Sequence, residues 1–345
     1  MKKNYLLLTL LLICGLFVSC MTEREIPHKG GNNADAAIQF SVAGDDFEDA
    51  AGTRATTVTT AGIVGQNFNL WGTGVLNGVN AGTTTFNHKM KVESSTSVKI
   101  DETTPPTYYW PVSGTPGMKF IGLYPYDAGT TGVTVATPAV SRPYTVSGWN
   151  APDMLYTNQT ITAKPSDNKV NITFYHALTK VTFSLKLINN TANVPVKVSS
   201  IQLSGLKTTR TFSLTSAGFE WSATPAATGS ATVAASGETA NTVTAVGTDT
   251  QIWSTGGHFI VMPVDDHPAG VSVTVVFNVN GSDVASITKP LPTSVGVSDA
   301  TKWQAGRWIN YQLEYYADKN GPEMTFGGIT VAPWGAVQNV PVPVN

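Results

Sequence analysis

An alternation of period two, with no competing helical repeat, restricts the fold more than any other feature of this chain. Over Leu178–Ile188, Val181, Phe183, Leu185 and Leu187 share one face while Thr182, Ser184 and Lys186 share the other. A strand turns successive side chains to opposite faces, so the segment reads as a half-buried antiparallel strand. The pattern recurs at Phe86–Val92, Val170–Phe174, Val271–Val279 and Trp308–Tyr316, each bounded by Gly, Pro, Asn or Asp. Short strands with turn signals between them, and no alternation of strand with helix, predict an all-β chain built as Greek-key β-sandwich domains.

The start of the chain differs. Lys2 and Lys3 precede an apolar run from Leu6 to Val18 that ends in Ser19-Cys20. A basic leader, a short apolar core and a small residue at its end form an export signal. A cysteine directly after such a core is where bacterial lipoproteins are acylated and cut, so Cys20 is the expected lipidation site. Phe17-Val18-Ser19-Cys20 resembles a lipobox, with Phe17 where leucine is usual. The plainer alternative is an ordinary secretory signal with an incidental cysteine.

The only two cysteines, Cys14 and Cys20, both lie in this leader. Disulfides, thiolate zinc sites and cysteine nucleophiles are therefore not expected, and stability must come from burial. With 345 residues the chain is long enough for two such domains. Lys+Arg of 21 against Asp+Glu of 23 gives a net charge of −2 without a basic stripe, so nucleic acid is not an expected partner. Residues 1–19 read as a lipoprotein signal peptide and 20–54 as a lipidated tether carrying a first strand. Residues 55–166 read as an N-terminal domain and 167–345 as a C-terminal one, with the boundary in Ala163–Asn168. The Ala-, Thr-, Ser- and Gly-rich stretch Ala223–Thr250 reads as either a long loop or a weak hairpin.

Several motifs in fixed order carry a family resemblance. They are Gly52-Thr53-Arg54-Ala55-Thr56-Thr57, Asn69-Leu70-Trp71-Gly72, Tyr108-Tyr109-Trp110-Pro111 and Phe120-Ile121-Gly122-Leu123-Tyr124-Pro125 in the first half. The second half adds Phe174-Tyr175-His176-Ala177-Leu178-Thr179-Lys180-Val181, Phe259-Ile260-Val261-Met262-Pro263, Trp303-Gln304-Ala305-Gly306 and Ile329-Thr330-Val331-Ala332-Pro333-Trp334. The set resembles the fimbrillin-like proteins of Bacteroidales, the pilins of type V fimbriae and related surface lipoproteins. The resemblance implies two transthyretin-like β-sandwich domains in tandem. It also implies a precursor anchored to the outer membrane by lipid, later found in the fimbrium at the cell surface.

The mechanism implied by the resemblance is donor-strand exchange. An arginine-specific or trypsin-like protease removes the first strand, and a strand from another pilin subunit fills the groove. Ile38, Phe40 and Val42 alternate in the candidate removable strand, and Arg54-Ala55 follows in a polar segment suited to cleavage. Arg142, Arg210 and Arg307 stand in strand-rich sequence, and Arg24 precedes the strand. Val340, Val342 and Val344 repeat the same period at the other end, so the tail from Ile329 to Asn345, with Val337 in it, is the candidate donor. Pro341 and Pro343 lack the N–H that a ladder needs, which counts against a full donor strand. The plain reading of both ends is a permanent edge strand and a frayed tail.

No cofactor and no catalytic residue is expected. Asp265-Asp266-His267-Pro268 reads as a turn, and His28, His88, His176 and His258 have no partner at a telling spacing, His176 reading as the orienter of a strand end. Trp71, Trp110, Trp253, Trp308 and Trp334 read as core residues. Trp149 and Trp221 border loop-like sequence and are the candidates for a ligand face. They support the alternative reading, a non-polymerising surface lipoprotein that binds glycan or serves as a fimbrial tip or anchor.

Overall fold

A computed structural model describes residues 37–44, 62–73, 84–110, 118–130, 139–145, 153–215, 218–222, 227–234, 241–253, 257–264, 270–292, 303–318, 323–333 and 342–343. Among the described residues every regular element is a strand, as the alternation requires. The first sheet contains β1 (Gln39–Gly44), β2 (Asn67–Thr73), β3 (Thr84–Ser94), β4 (Ser97–Ile100), β5 (Met118–Tyr124), β7 (Leu155–Ile161) and β8 (Lys169–His176). It runs β1-β4-β3-β2-β5-β7-β8 and closes into a barrel, because β1 pairs with both β4 and β8. Closure leaves no free sheet edge.

A second sheet is organised on β10 (Val196–Thr215), which pairs with β6 (Ala139–Thr145), β11 (Gly218–Trp221), β12 (Ala227–Ala234) and β15 (Ser272–Val279). The strands β16 (Ser282–Asp283) and β17 (Ile287–Pro290) extend it from β15. The third sheet holds β9 (Thr179–Asn189), β13 (Asp249–Gln251), β14 (Phe259–Val261), β18 (Arg307–Tyr316), β19 (Glu323–Pro333) and β20 (Val342–Pro343). Phe183 and Leu185 of β9 and Tyr311 of β18 share one apolar cluster with Ile201 of β10 and Phe277 of β15, so these two sheets form a sandwich. A separate cluster joins Trp71, Ile121 and Leu123 of the barrel strands to Val140, Phe212 and Leu214 of the second sheet.

The strands cross the expected boundary. The turn at Pro165–Asn168, closed by the Asn168 amide on the Pro165 carbonyl at 3.0 Å, links β7 to β8 within the barrel. Asn168 sits at a φ of 60°, which asparagine tolerates better than most residues. β6 precedes that turn yet belongs to the second sheet. Alternation tells which side chains face a core, but not which of two cores they face.

Two other expectations are corrected. β9 runs parallel to β18 over Trp308↔Lys180 to Tyr315↔Leu187, and is antiparallel only to the short β13 and β14. Its polar face is not open to solvent either, since Thr182 and Ser184 are buried. Thr182 donates to Asn310 Oδ1 at 2.9 Å, Asn310 Nδ2 donates to Ser184 at 3.0 Å, and Trp308 Nε1 donates to Thr182 at 2.8 Å. Cross-strand hydrogen bonds satisfy these groups, so burial costs little. Within Ala223–Thr250, residues 227–234 form a true strand on β10, with register shifts between Ser204 and Leu206 and between Lys207 and Thr209.

Candidate functional site

β1 is the seam of the barrel. Against β8 it is parallel and paired at every residue from Gln39↔Lys169 to Gly44↔Phe174, whereas against β4 its register is the single pair Phe40↔Val98. Phe40 and Val42 point inward and are only 6% and 4% exposed. The Phe40 ring lies 5.2 Å from Phe86 and 5.7 Å, edge-on, from Phe120. A Cβ on Gly72 would come within 2.8 Å of Phe120 and 3.0 Å of Phe86, so glycine there leaves room for the rings under β1.

The segment Asp101–Trp110 crosses the start of the strand. Ile38, half-buried, donates its amide to the Tyr108 carbonyl at 2.8 Å, and Ala37 bridges to Tyr109. The Asn168 carbonyl accepts from both the Gln39 amide at 3.1 Å and Trp110 Nε1 at 3.1 Å. His88 holds this strap in place, with Nδ1 2.6 Å from Glu102 and Nε2 2.7 Å from the Tyr108 hydroxyl. Burial, and secondarily the Glu102 carboxylate, pushes the Tyr108 phenol up. Beyond the Phe40↔Val98 pair the seam opens into a cavity of about 350 Å³ bordered by Ser41, Val42, Thr96, Lys169 and Asn171. Ser41 donates to Asn171 Oδ1 at 3.0 Å across its floor.

At the other end of the chain, β20 lies antiparallel to β19 through Gly328↔Pro343 and Ile329↔Val342. Val342 and Pro343 thus meet the edge of the third sheet, whereas Ile329–Pro333, the first part of the candidate donor, is built into β19 against β18, and β1 fills the interior of the first sheet.

Residues 53–334 match the fimbrillin-like family. The chain belongs to that family. Solved structures share its fold at low identity. A fimbrial protein from Bacteroides vulgatus has a TM-score of 0.58 at 13% identity, covering 86% of this chain and 99% of its own. Proposed cell-adhesion proteins from Bacteroides uniformis and Bacteroides ovatus have TM-scores of 0.51 and 0.52 at 17% and 16% identity. Each covers 88% of this chain, with 100% and 99% of their own lengths. The curated proteins offer no sequence match.

In this fimbrillin-like protein the structure brings Ile38, Phe40 and Val42 together at the seam, and Val342 to the β19 edge. Cys20, Arg54, Ala55, Val337, Val340 and Val344 lie outside the described residues, as do Asp265, Asp266, His267, Trp149 and Trp334. Three of the five arginines are described, and all stand in strands. Arg142 is buried, donating to the Pro125 carbonyl at 2.7 Å, to Asn69 Oδ1 at 3.0 Å and to Thr130 at 2.7 Å. Arg210 is also buried and donates to the carbonyls of Ser222, Pro263 and Trp221.

Sequence spacing missed the partners of two histidines. His88 meets Glu102 and Tyr108 across adjoining elements, and His176, at the end of β8, meets Asp153 at 2.7 Å with both side chains buried. Among the described residues no three His, Cys, Asp or Glu side chains gather as a metal site. The aromatic signals were better guides. Trp71, Trp110 and Trp253 are buried as expected, whereas Trp308 is half-buried and carries the Lys180 ammonium 4.4 Å over its ring.

Proposed function

We propose that this chain is a structural subunit of a type V fimbria that is exported as a precursor lipidated at Cys20. Cleavage between Arg54 and Ala55 by an arginine-specific or trypsin-like protease releases β1, and a strand from another subunit takes its place, building an adhesive surface fibre. The observation that carries this reading is the seam position of β1. It supplies Phe40 and Val42 to the barrel core, yet is tied to β4 through one residue pair.

Removing β1 would leave the facing edges of β4 and β8 without a ladder partner above an open apolar trough. An extended peptide with apolar side chains at alternate positions satisfies both defects at once. Each refilled Val or Phe position is worth about 1.5–3 kcal/mol of burial, and each ladder hydrogen bond about 0.5–1.5 kcal/mol net. The donor in this reading is the tail, whose Val340, Val342 and Val344 repeat the period of Ile38, Phe40 and Val42. The short β19–β20 ladder supports the tail's ability to pair despite Pro343.

The test uses full-length precursor treated with trypsin. The expected product begins at Ala55 and forms fibres visible by electron microscopy, whereas Arg54→Ala stays intact and monomeric. Deleting residues 337–345 should give protein that is cleaved but does not polymerise. Fibres of normal length from Arg54→Ala would overturn activation at this site, and fibres from the deletion would remove the tail as donor.

A further inference from the structure

A second concavity lies between β10 and β11 of the second sheet and the residues that follow β14 and precede β18 of the third, beside the barrel strands β7 and β8, and we infer that it is an oligosaccharide-binding groove. Its volume of about 520 Å³ is bordered by Phe219, Glu220, Trp221, Val264 and Gln304, with Arg210 beneath. That size falls in the range of about 300–1,000 Å³ usual for small-ligand sites. An aromatic strip runs into it from the barrel. Tyr156 and Tyr175 are register partners on β7 and β8 with rings 5.7 Å apart, and Tyr156 lies 4.4 Å from Phe219 on β11. Tyr175 is 44% exposed, and Tyr156, Phe219 and Trp221 are half-buried, so the strip shows ring surface to solvent.

The strip is built to stay rigid. Trp221 is anchored by Nε1 on the Ala177 carbonyl at 3.0 Å, and Phe219 stacks on the buried Phe212 at 5.7 Å. The opposite wall is fixed by the Thr179 hydroxyl on the Gln304 carbonyl at 2.8 Å and the Gly306 amide on the Leu178 carbonyl at 2.9 Å.

The chemistry of the walls selects the ligand. A peptide strand would need unpaired backbone groups, but the carbonyls of Trp221, Ser222 and Pro263 already accept from Arg210. The Val264 amide is likewise spent on the Trp303 carbonyl at 2.7 Å. An anionic ligand would face the exposed Glu220 carboxylate while the Arg210 guanidinium is held by carbonyls. Ring faces beside a carboxylate and an amide suit a neutral sugar chain. The C–H faces of the pyranose rings stack on Tyr175 and Phe219, and its hydroxyls bond Glu220 and Gln304. This groove does not include β1, so binding is independent of the polymerisation reading.

The experiment is native affinity electrophoresis of the full chain in gels containing mannan, glycogen or xylan, with tryptophan fluorescence titration by the matching hexasaccharides. At least one polysaccharide should retard the wild type, and Tyr175→Ala and Glu220→Ala should each weaken binding by about tenfold. Both substitutions are at exposed positions and should leave trypsin-activated fibre formation unchanged. The inference fails if none of the three polysaccharides binds, or if the double variant binds as the wild type does. It also fails if a synthetic peptide of residues 329–345 displaces the sugar, since the groove would then be a strand-docking surface.

Discussion

The two apolar ends of the described chain share a sequence pattern and have opposite structural fates. Phe40 and Val42 of β1 are enclosed by the barrel and touch Phe86 and Phe120, whereas Val342 and Pro343 of β20 meet only two residues of β19 at a sheet edge. One strand is part of a core and the other lies on a completed sheet. The same period of two thus supports burial in one place and edge pairing in another. The difference comes from what the neighbouring strands leave open: β4 and β8 are closed only by β1, while β19 already has β18 along its length.

Substitutions at the two ends measure that contrast directly. Phe40→Ala removes a ring packed on two others and should lower precursor stability by about 3–5 kcal/mol, read as a lower urea midpoint. Deleting residues 337–345 removes the two pairs of β20 and should cost the precursor only about 1 kcal/mol. Equal losses at the two ends would break the comparison. The next effect in size is at Arg142, which ties β6 to the carbonyl of Pro125 and to Asn69 of β2. Arg142→Met takes the guanidinium from the Pro125 carbonyl and from Asn69 Oδ1, which keeps only the Asp127 amide, and should cost about 2–4 kcal/mol.

The smallest effect sharpens the picture of the junction behind the barrel. Burial, followed by the nearby Tyr175, pushes the Tyr156 phenol up to about 12, and burial also raises Tyr144 and Tyr311. A phenol whose folded value lies above its ordinary value near 10 stabilises the fold fully below that pH. The contribution fades as pH rises from about 10 toward 12. Ultraviolet titration should therefore show exposed tyrosines ionising first and a delayed group that appears near pH 12 or together with alkaline unfolding. Replacing Tyr156 with Phe should remove one delayed transition.

Much of the fold was legible because alternation is a local property. β3, β8, β15 and β18 each fall close to the run that announced them. Phe40 and Val42 were likewise legible as apolar residues on one face of a strand. What periodicity could not report was the partner. The parallel pairing of β9 with β18, the entry of β6 into the second sheet and the burial of Thr182 under Trp308 all depend on segments more than one hundred residues away or on a crossover. The links from His88 to Glu102 and Tyr108 are missed for the same reason, since strand and strap adjoin only after the barrel closes.

The sequence by itself determined that this is an all-β chain and that its motifs resemble those of fimbrillin-like proteins. Those properties follow from composition, period and order, which each segment carries alone. The tertiary structure decided that β1 is the strand that closes a barrel and that Val342 and Pro343 lie at a sheet edge. It also decided that Phe219 and Trp221 border one groove and that Tyr156 and Tyr175 continue their aromatic surface onto the barrel. These facts arise from long-range pairing, in which the free energy of burial is realised only when distant strands meet, so no local stretch of sequence encodes them.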